Sequence, residues 1–177
     1  MTDLSFIPEC FIDTNLAETL LGGVGVNHQK GCGTVSSRMK DKFADGFAVG
    51  LLDKDKQQVE YLKEFSEVSS TEHLILFKHP QKHHYIIQVV PAMERFILNA
   101  MAEVDLLPEE SGLPIDFNRF KKMAKTVNSK DEPTFKKLFK KLVREEAGQI
   151  ILLKSWLNYL KENRYDANID DLIAFNI

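Results

Sequence analysis

Phe47-Ala48-Val49-Gly50-Leu51-Leu52-Asp53-Lys54-Asp55 is a continuous apolar run of strand length that stops abruptly at two carboxylates. An apolar run of that length, bounded by polar residues, reads as a strand buried on both faces. Residues two apart in an extended chain point the same way, so Asp53 and Asp55 can converge on one hard cation. Upstream, residues 6–12 form a second apolar segment, and Asp13 follows it directly. Were the two strands neighbours in a parallel sheet, all three carboxylates would gather at its carboxyl edge, where open α/β sheets place their sites.

Working outward, strand-like and helix-like patterns alternate. Asp13-Thr14-Asn15 offers N-cap chemistry for a short helix over 16–21, which Gly22-Gly23 would end. Residues 24–26 read as a short strand and 27–33 as a glycine-bearing loop. Thr34 can cap a helix reaching residue 43, with Val35, Met39 and Phe43 on one side. A polar helix over 57–65 follows the aspartate pair. Residues 73–77 and 85–90 read as two further strands whose short, proline-containing connection suits an antiparallel hairpin. Pro91 would open a helix continuing through 92–104. This order predicts an α/β domain over 1–107 with a mostly parallel sheet flanked by helices.

Beyond residue 108 the pattern is helical only, so 108–177 is expected to form a helical C-terminal extension. Apolar residues recur there at helical spacing around Phe120, again around Phe135 and Leu142, and a third time around Trp156. Charge is distributed unevenly along the chain. Residues 1–115 carry 10 Lys/Arg against 17 Asp/Glu, whereas residues 116–144 carry 10 against 3. Lys136, Lys137, Lys140, Lys141 and Arg144 occupy the polar face of the second C-terminal helix, a candidate nucleic-acid contact. The same face would also suit an acidic protein partner.

The chain has 177 residues, 44% of them hydrophobic and 28% charged, which suits a soluble globular protein with a substantial core. No apolar run reaches the roughly 20 residues of a bilayer span, and the first residues have no signal-peptide pattern. The two cysteines, Cys10 and Cys32, give neither a disulfide framework nor a paired metal spacing. A reducing cytoplasm is the expected setting, with no membrane association. Zinc is not indicated, because no His-x-x-x-His or Cys-x-x-Cys spacing occurs. No glycine-flanked serine elbow supports a Ser-His-Asp hydrolase.

The order of parts, a strand and acid, a helix, the Lys30-Gly31-Cys32-Gly33 loop, a helix, and an apolar strand ending in Asp-x-Asp, resembles the Toprim family over residues 6–65. Toprim domains occur in topoisomerases, primases and overcoming-lysogenization-defect nucleases. The resemblance implies a small parallel α/β sheet in which a strand-end glutamate acts as general acid or base and the aspartates hold Mg²⁺. On that basis Asp53 and Asp55 are the expected ligands of Mg²⁺ or Mn²⁺. Asp13, where the family has glutamate, is the expected catalytic acid and third ligand, with Glu9 and Glu18 in reserve. Thr14 stands where glycine is usual. Glu94, in the first turn of the helix after residue 91, is a further candidate ligand, although acids favour that position for the helix dipole alone. His28 is the histidine whose loop reaches the same edge.

Phe11-Ile12-Asp13-Thr14-Asn15 also resembles the opening of PIN-type ribonucleases, where the strand-end aspartate binds metal. That alternative would bring Asp170 or Asp171 to Asp13. The expected function is Mg²⁺-dependent nuclease or phosphoryl-transfer chemistry on nucleic-acid phosphodiesters. The alternative is a Toprim-like scaffold with weak or no catalysis, serving as a binding subunit for nucleic acid or protein.

Overall fold

The computed structural model describes residues 1–54 and 59–176. In chain order the elements are β1 (Thr2–Asp3), β2 (Phe6–Pro8), α1 (Phe11–Leu20), β3 (Gly25–Val26), α2 (Cys32–Lys42) and β4 (Ala48–Asp53). Then come β5 (Ser66–Ser70), β6 (Leu74–Lys78), β7 (His84–Val89) and α3 (Met93–Glu103). The C-terminal part holds α4 (Phe117–Ala124), α5 (Pro133–Arg144), α6 (Gly148–Asn163) and α7 (Ile169–Ala174).

Five strands form one sheet in the order β2-β4-β7-β6-β5. β2 runs parallel to β4, and β4 parallel to β7, so the two segments that end in acids are neighbours as expected. The rest of the sheet is antiparallel, β7 with β6 and β6 with β5. The fold is α/β, but the sheet is mixed rather than mostly parallel. The physical reason lies in the connections. Three residues join β5 to β6 and five join β6 to β7, and links that short can only turn a chain back on its neighbour. The hairpin was legible; β5 was not, because Ser66-Glu67-Val68-Ser69-Ser70 is a polar, edge-strand sequence with one apolar residue.

The alternation of a buried strand accounts for the layers. Phe47, Val49 and Leu51 join a large apolar cluster with Ile12 and Leu16 of α1, Phe96 of α3 and Trp156 of α6. Ala48 and Leu52 turn the other way and pack with Val35 and Met39 of α2 and with Tyr61 and Leu62. Gly50 lets α2 come close, since an added Cβ would lie 3.1 Å from Met39 Sδ and 3.2 Å from Val35 Cγ1. Phe120, Phe139 and Leu142 from beyond residue 108 belong to the same cluster as α1 and α3. α7 is held by the Trp156 indole, whose Nε1–H donates to the Leu172 carbonyl at 2.9 Å.

Several expected boundaries move. The first strand ends at Pro8, not residue 12, and α1 begins at Phe11, not residue 16. Asp13 therefore does not end a strand; it is the third residue of a helix. Ile12, Leu16, Ala17 and Leu20 are all buried, so the apolar stretch 11–12 belongs to a period of 3.6 rather than 2. α2 starts at Cys32 with Gly31 as its N-cap, in place of the expected Thr34, and Gly31 takes a φ of 92° that favours glycine. Pro91 precedes α3 rather than opening it: Ala92 is the N-cap and the Val90–Pro91 peptide is cis. The expected helix over 57–65 falls partly outside the described residues, and Glu60–Glu64 within it is a 3-10 turn. Among the described residues, no helix is long and apolar enough to cross a membrane.

Candidate carboxylate site

The parallel strands deliver their ends to one place. Pro8 pairs with Leu51, and the Glu9 N–H continues the ladder by donating to the Leu51 carbonyl at 3.0 Å. That puts Glu9, not Asp13, immediately beyond the end of the first strand. Its Oε2 accepts the Asp53 N–H at 3.1 Å, so the acid after β2 reaches the acid that ends β4. Asp53 Oδ1 in turn accepts the Met93 N–H at 2.9 Å, which satisfies an orphan donor at the N-terminus of α3. Glu94, the next residue, is buried and lines the same cleft.

The cleft has a volume of about 410 Å³. Glu9, Asp53 and Glu94 face it together with His28, and Lys30, Lys54, Lys121 and Lys125 contribute cationic lining. Lys30 and Gly31 are brought there because residues 27–31 run along β2. The Asn27, Gln29 and Gly31 N–H groups donate to the carbonyls of Phe6, Pro8 and Glu9. Lys121 and Lys125 arrive with α4, where Arg95 of α3 lies over the Phe117 ring at 4.0 Å.

Asp13 takes a different position from the one expected. It is only 1% exposed and is not among the residues lining the cleft. Its Oδ2 accepts the Cys10 N–H at 3.2 Å, and its Oδ1 is buried without a partner. Burial, and next the charge of Asp53, push the Asp13 carboxyl well above the usual carboxylate range. Asp53 is pushed up to about 7, first by burial and then by Glu9, while its bond from Met93 pulls the other way. Burial and the nearby Asp13 also raise the Cys10 thiol far above its ordinary value, so it is an inert apolar group here.

His28 is the histidine that lines the cleft, and its ring is fixed on two sides. It stacks on Phe11 with centroids 4.3 Å apart and planes 19° apart. Its Nδ1 lies 2.9 Å from Thr14 Oγ1, whose hydroxyl donates to the Cys10 carbonyl at 2.7 Å. The single Thr14 proton is thus committed, so Nδ1 must be the donor and Nε2 keeps its lone pair in the neutral ring. Burial lowers the His28 pKa, which favours that neutral form.

The sequence-predicted residues therefore divide. Asp53 and Glu94 line the cleft together, and Asp13 lies close enough to feel the charge of Asp53 but beneath the surface. Asp55 lies outside the described residues. Asp171 accepts a hydrogen bond from Tyr159 at 2.6 Å, and Asp170 is in the exposed first turn of α7; neither lines the cleft. On α5, Lys136 and Lys140 line a separate groove with Thr19 and Gly22, and none of Lys137, Lys141 and Arg144 lines the cleft. The residue underweighted in the sequence is Glu9. Its signal was Pro8, which a continuing strand tolerates poorly.

As a metal site the cleft fits in part. Among the described residues, no group of three or more His, Cys, Asp and Glu side chains comes together to hold a metal ion. Glu9 and Asp53 remain a hard, oxygen-only pair, and Mg²⁺ is commonly held by one or two carboxylates with waters and phosphate completing the shell. Burial is the main cause of the raised Asp53 carboxyl, with Glu9 and Glu94 adding to it against Lys125, and a cation held at the cleft would oppose that shift. Compared with known proteins, the chain matches no family model, no curated protein and no solved structure.

Proposed function

We propose that this protein carries out Mg²⁺- or Mn²⁺-dependent cleavage or transfer at nucleic-acid phosphodiesters, with Glu9 and Asp53 as the central acids. The observation that carries the reading is the contact between the ends of β2 and β4. The Glu9 carboxylate meets the Asp53 N–H there, in a cleft where burial and then Glu9 push the Asp53 carboxyl up to about 7 and whose lining includes four lysines. Carboxylates that can hold a divalent cation, lining the same cleft as ammonium groups that can hold an anion, suit a metal-bound phosphate. Glu9 just past the first strand and Asp53 ending a parallel neighbour also fit the Toprim resemblance better than Asp13 did. The resemblance makes Glu9 the general acid or base.

A bound cation would neutralise the carboxylates and polarise a phosphoryl oxygen. The chain's own groups have separable tasks. The Asp53 N–H orients Glu9, the Met93 N–H orients Asp53, and Lys121 and Lys125 hold a phosphate at the cleft. Buried Asp13 supports the floor and retains an oxygen able to accept a bond from water.

Calorimetric titration with Mg²⁺ and Mn²⁺, on the wild type and on Glu9→Gln and Asp53→Asn, tests the reading. Binding to the wild type should fall at least tenfold in either variant, and cleavage of a labelled oligonucleotide should fall with it. A well-folded wild type that binds neither ion, even with an oligonucleotide present, ends the nuclease reading. The absence of a three-ligand group among the described residues favours a second reading, a binding subunit without catalysis. Oligonucleotide binding that is indifferent to Mg²⁺ and to Asp53→Asn would select it.

A further inference from the structure

The carboxylate cleft opens at the first turn of α1, where Cys10 and Phe11 line it. A second groove, of about 310 Å³, lies at the other end of the same helix and is lined by Glu18, Thr19, Gly22, Gly23, Lys136 and Lys140. Phe11 and Glu18 are seven residues apart, two turns on one face, and so separated by about 10 Å along the axis. Between them the chain from α4 to α5 crosses α1. It is clamped there by the Asn15 side-chain amide, which donates to the Ser129 carbonyl at 2.8 Å and the Glu132 carbonyl at 3.3 Å.

That crossing lays out a row of cations. Lys121 and Lys125 line the cleft, Lys130 sits on the crossing near enough to His28 to lower its pKa, and Lys136 and Lys140 line the groove. Lys121, Lys125, Lys130 and Lys140 form no salt bridge with a described residue. Lys136 lies 3.7 Å from Asp131, with both side chains substantially exposed, a pairing that a phosphate can displace. The opposing acid in the groove, Glu18, has its Oε1 turned to accept the Val26 N–H at 3.2 Å.

We propose that the substrate is a single-stranded nucleic acid. Its backbone runs from the carboxylate cleft, over the α4–α5 crossing, into the Lys136/Lys140 groove. This rests on the phosphodiester reading and narrows it, because a mononucleotide would fill the cleft alone. A separation of about 10 Å corresponds to roughly two to four nucleotides at the axial rise of a nucleic-acid strand. Cations set in concave grooves track one backbone, and the stacked Phe11–His28 pair supplies an aromatic surface where a base beside the cleft phosphate can rest.

The test is fluorescence anisotropy with labelled dinucleotide and decanucleotide, as single-stranded DNA and as RNA, over a range of salt. The full chain is compared with K136E/K140E, with the milder K136Q/K140Q, and with K137E/K141E as a control carrying the same charge change on the same helix. K136E/K140E should bind the decanucleotide about tenfold more weakly, and K136Q/K140Q less severely. For K136E/K140E the slope of log K against log salt should shrink by about 1.4, since each lost phosphate contact on a single strand contributes about 0.7. Dinucleotide binding should be unchanged, and K137E/K141E should behave close to wild type. The path is overturned if the wild type binds the two lengths alike, or if K137E/K141E weakens decanucleotide binding as much as K136E/K140E. If dinucleotide binding is then still lost in K121E/K125E, the cleft reading survives without the path. A wild type that binds neither length overturns both. Whichever sugar binds more tightly identifies the strand.

Discussion

β4 and β7 have polar side chains gathered near both ends, and the two ends treat them differently. At the start of β7, His84 is fully buried. Its Nε2 lies 2.9 Å from the Phe43 carbonyl and must donate to it, so Nδ1 accepts the Tyr61 hydroxyl at 2.6 Å. Beside it, His79 Nδ1 accepts the Gln81 and Lys82 N–H groups, and Nε2 faces Glu64 at 3.3 Å. Each ring nitrogen has a partner. At the other end of the same strands, the Glu9 carboxylate accepts the Asp53 N–H, burial and then Glu9 and Glu94 raise the Asp53 pKa, and Asp13 Oδ1 has no partner. A buried polar cluster whose bonds are complete stabilises a fold, whereas one left incomplete is held there by the rest of the structure and is a candidate place for a ligand. Count of polar residues would not separate the two; satisfaction does.

The sharpest way to break this contrast is through pH. Asp53 has a folded pKa of about 7 against an ordinary 3.8, so the native state prefers it protonated. Its favourable contribution is complete below pH 3.8 and is lost as pH rises through 7. Without metal, Asp53→Asn should therefore be more stable than the wild type at pH 8, by up to roughly 4 kcal/mol at 1.36 kcal/mol per unit. The gain should vanish near pH 4, and urea unfolding across that range measures it. Destabilisation at pH 8 would make Asp53 a structural cap of α3 and nothing more.

The His84 end should show the opposite sign. Burial lowers its pKa below the ordinary 6.5, so its contribution is present above that pH and lost as pH falls. His84→Ala should cost about 2 to 4 kcal/mol, by opening a cavity and stranding the Tyr61 hydroxyl. It should also remove that acid-side sensitivity while leaving Mg²⁺ titrations unchanged. Tyr61→Phe keeps the ring contacts but leaves His84 Nδ1 without a donor, and should cost about 1 to 2 kcal/mol by the same assay. The smallest effect is expected at Asp13. Burial favours its protonated form, and asparagine keeps an oxygen to accept the Cys10 N–H, so Asp13→Asn should change stability at pH 7 by less than about 1 kcal/mol in thermal unfolding. A large loss there would mean that Asp13 is ionised and paired.

These contrasts also show what was readable in the chain. β4 was legible because six consecutive positions of one pattern, ended by a carboxylate, admit no helical face. The β6–β7 hairpin followed from a short, proline-containing link over 78–84, and α5 from apolar residues at 3.6-residue spacing. The boundary between β2 and α1 was not legible. Phe6-Ile7 and Phe11-Ile12 are apolar pairs divided by Pro8-Glu9-Cys10, and a run so short fits a period of 2 or 3.6 equally well. That ambiguity moved the candidate acid by four residues, from Glu9 to Asp13. β5 escaped notice because a polar edge strand has little burial to mark it.

The sequence by itself determined that a buried strand ends in a carboxylate, that helices and strands alternate ahead of a helical C-terminal stretch, and that cations concentrate over residues 116–144. Local periodicity and composition carry that information. Only the tertiary structure decided that Glu9 meets Asp53 and that Asp13 is buried beneath them. It alone set Lys121 and Lys125 beside the acids, and Lys136 and Lys140 in a separate groove. Those placements depend on which strand lies beside which and how α4 and α5 pack across α3 and α1. Long-range burial decides that packing, and no local pattern encodes it.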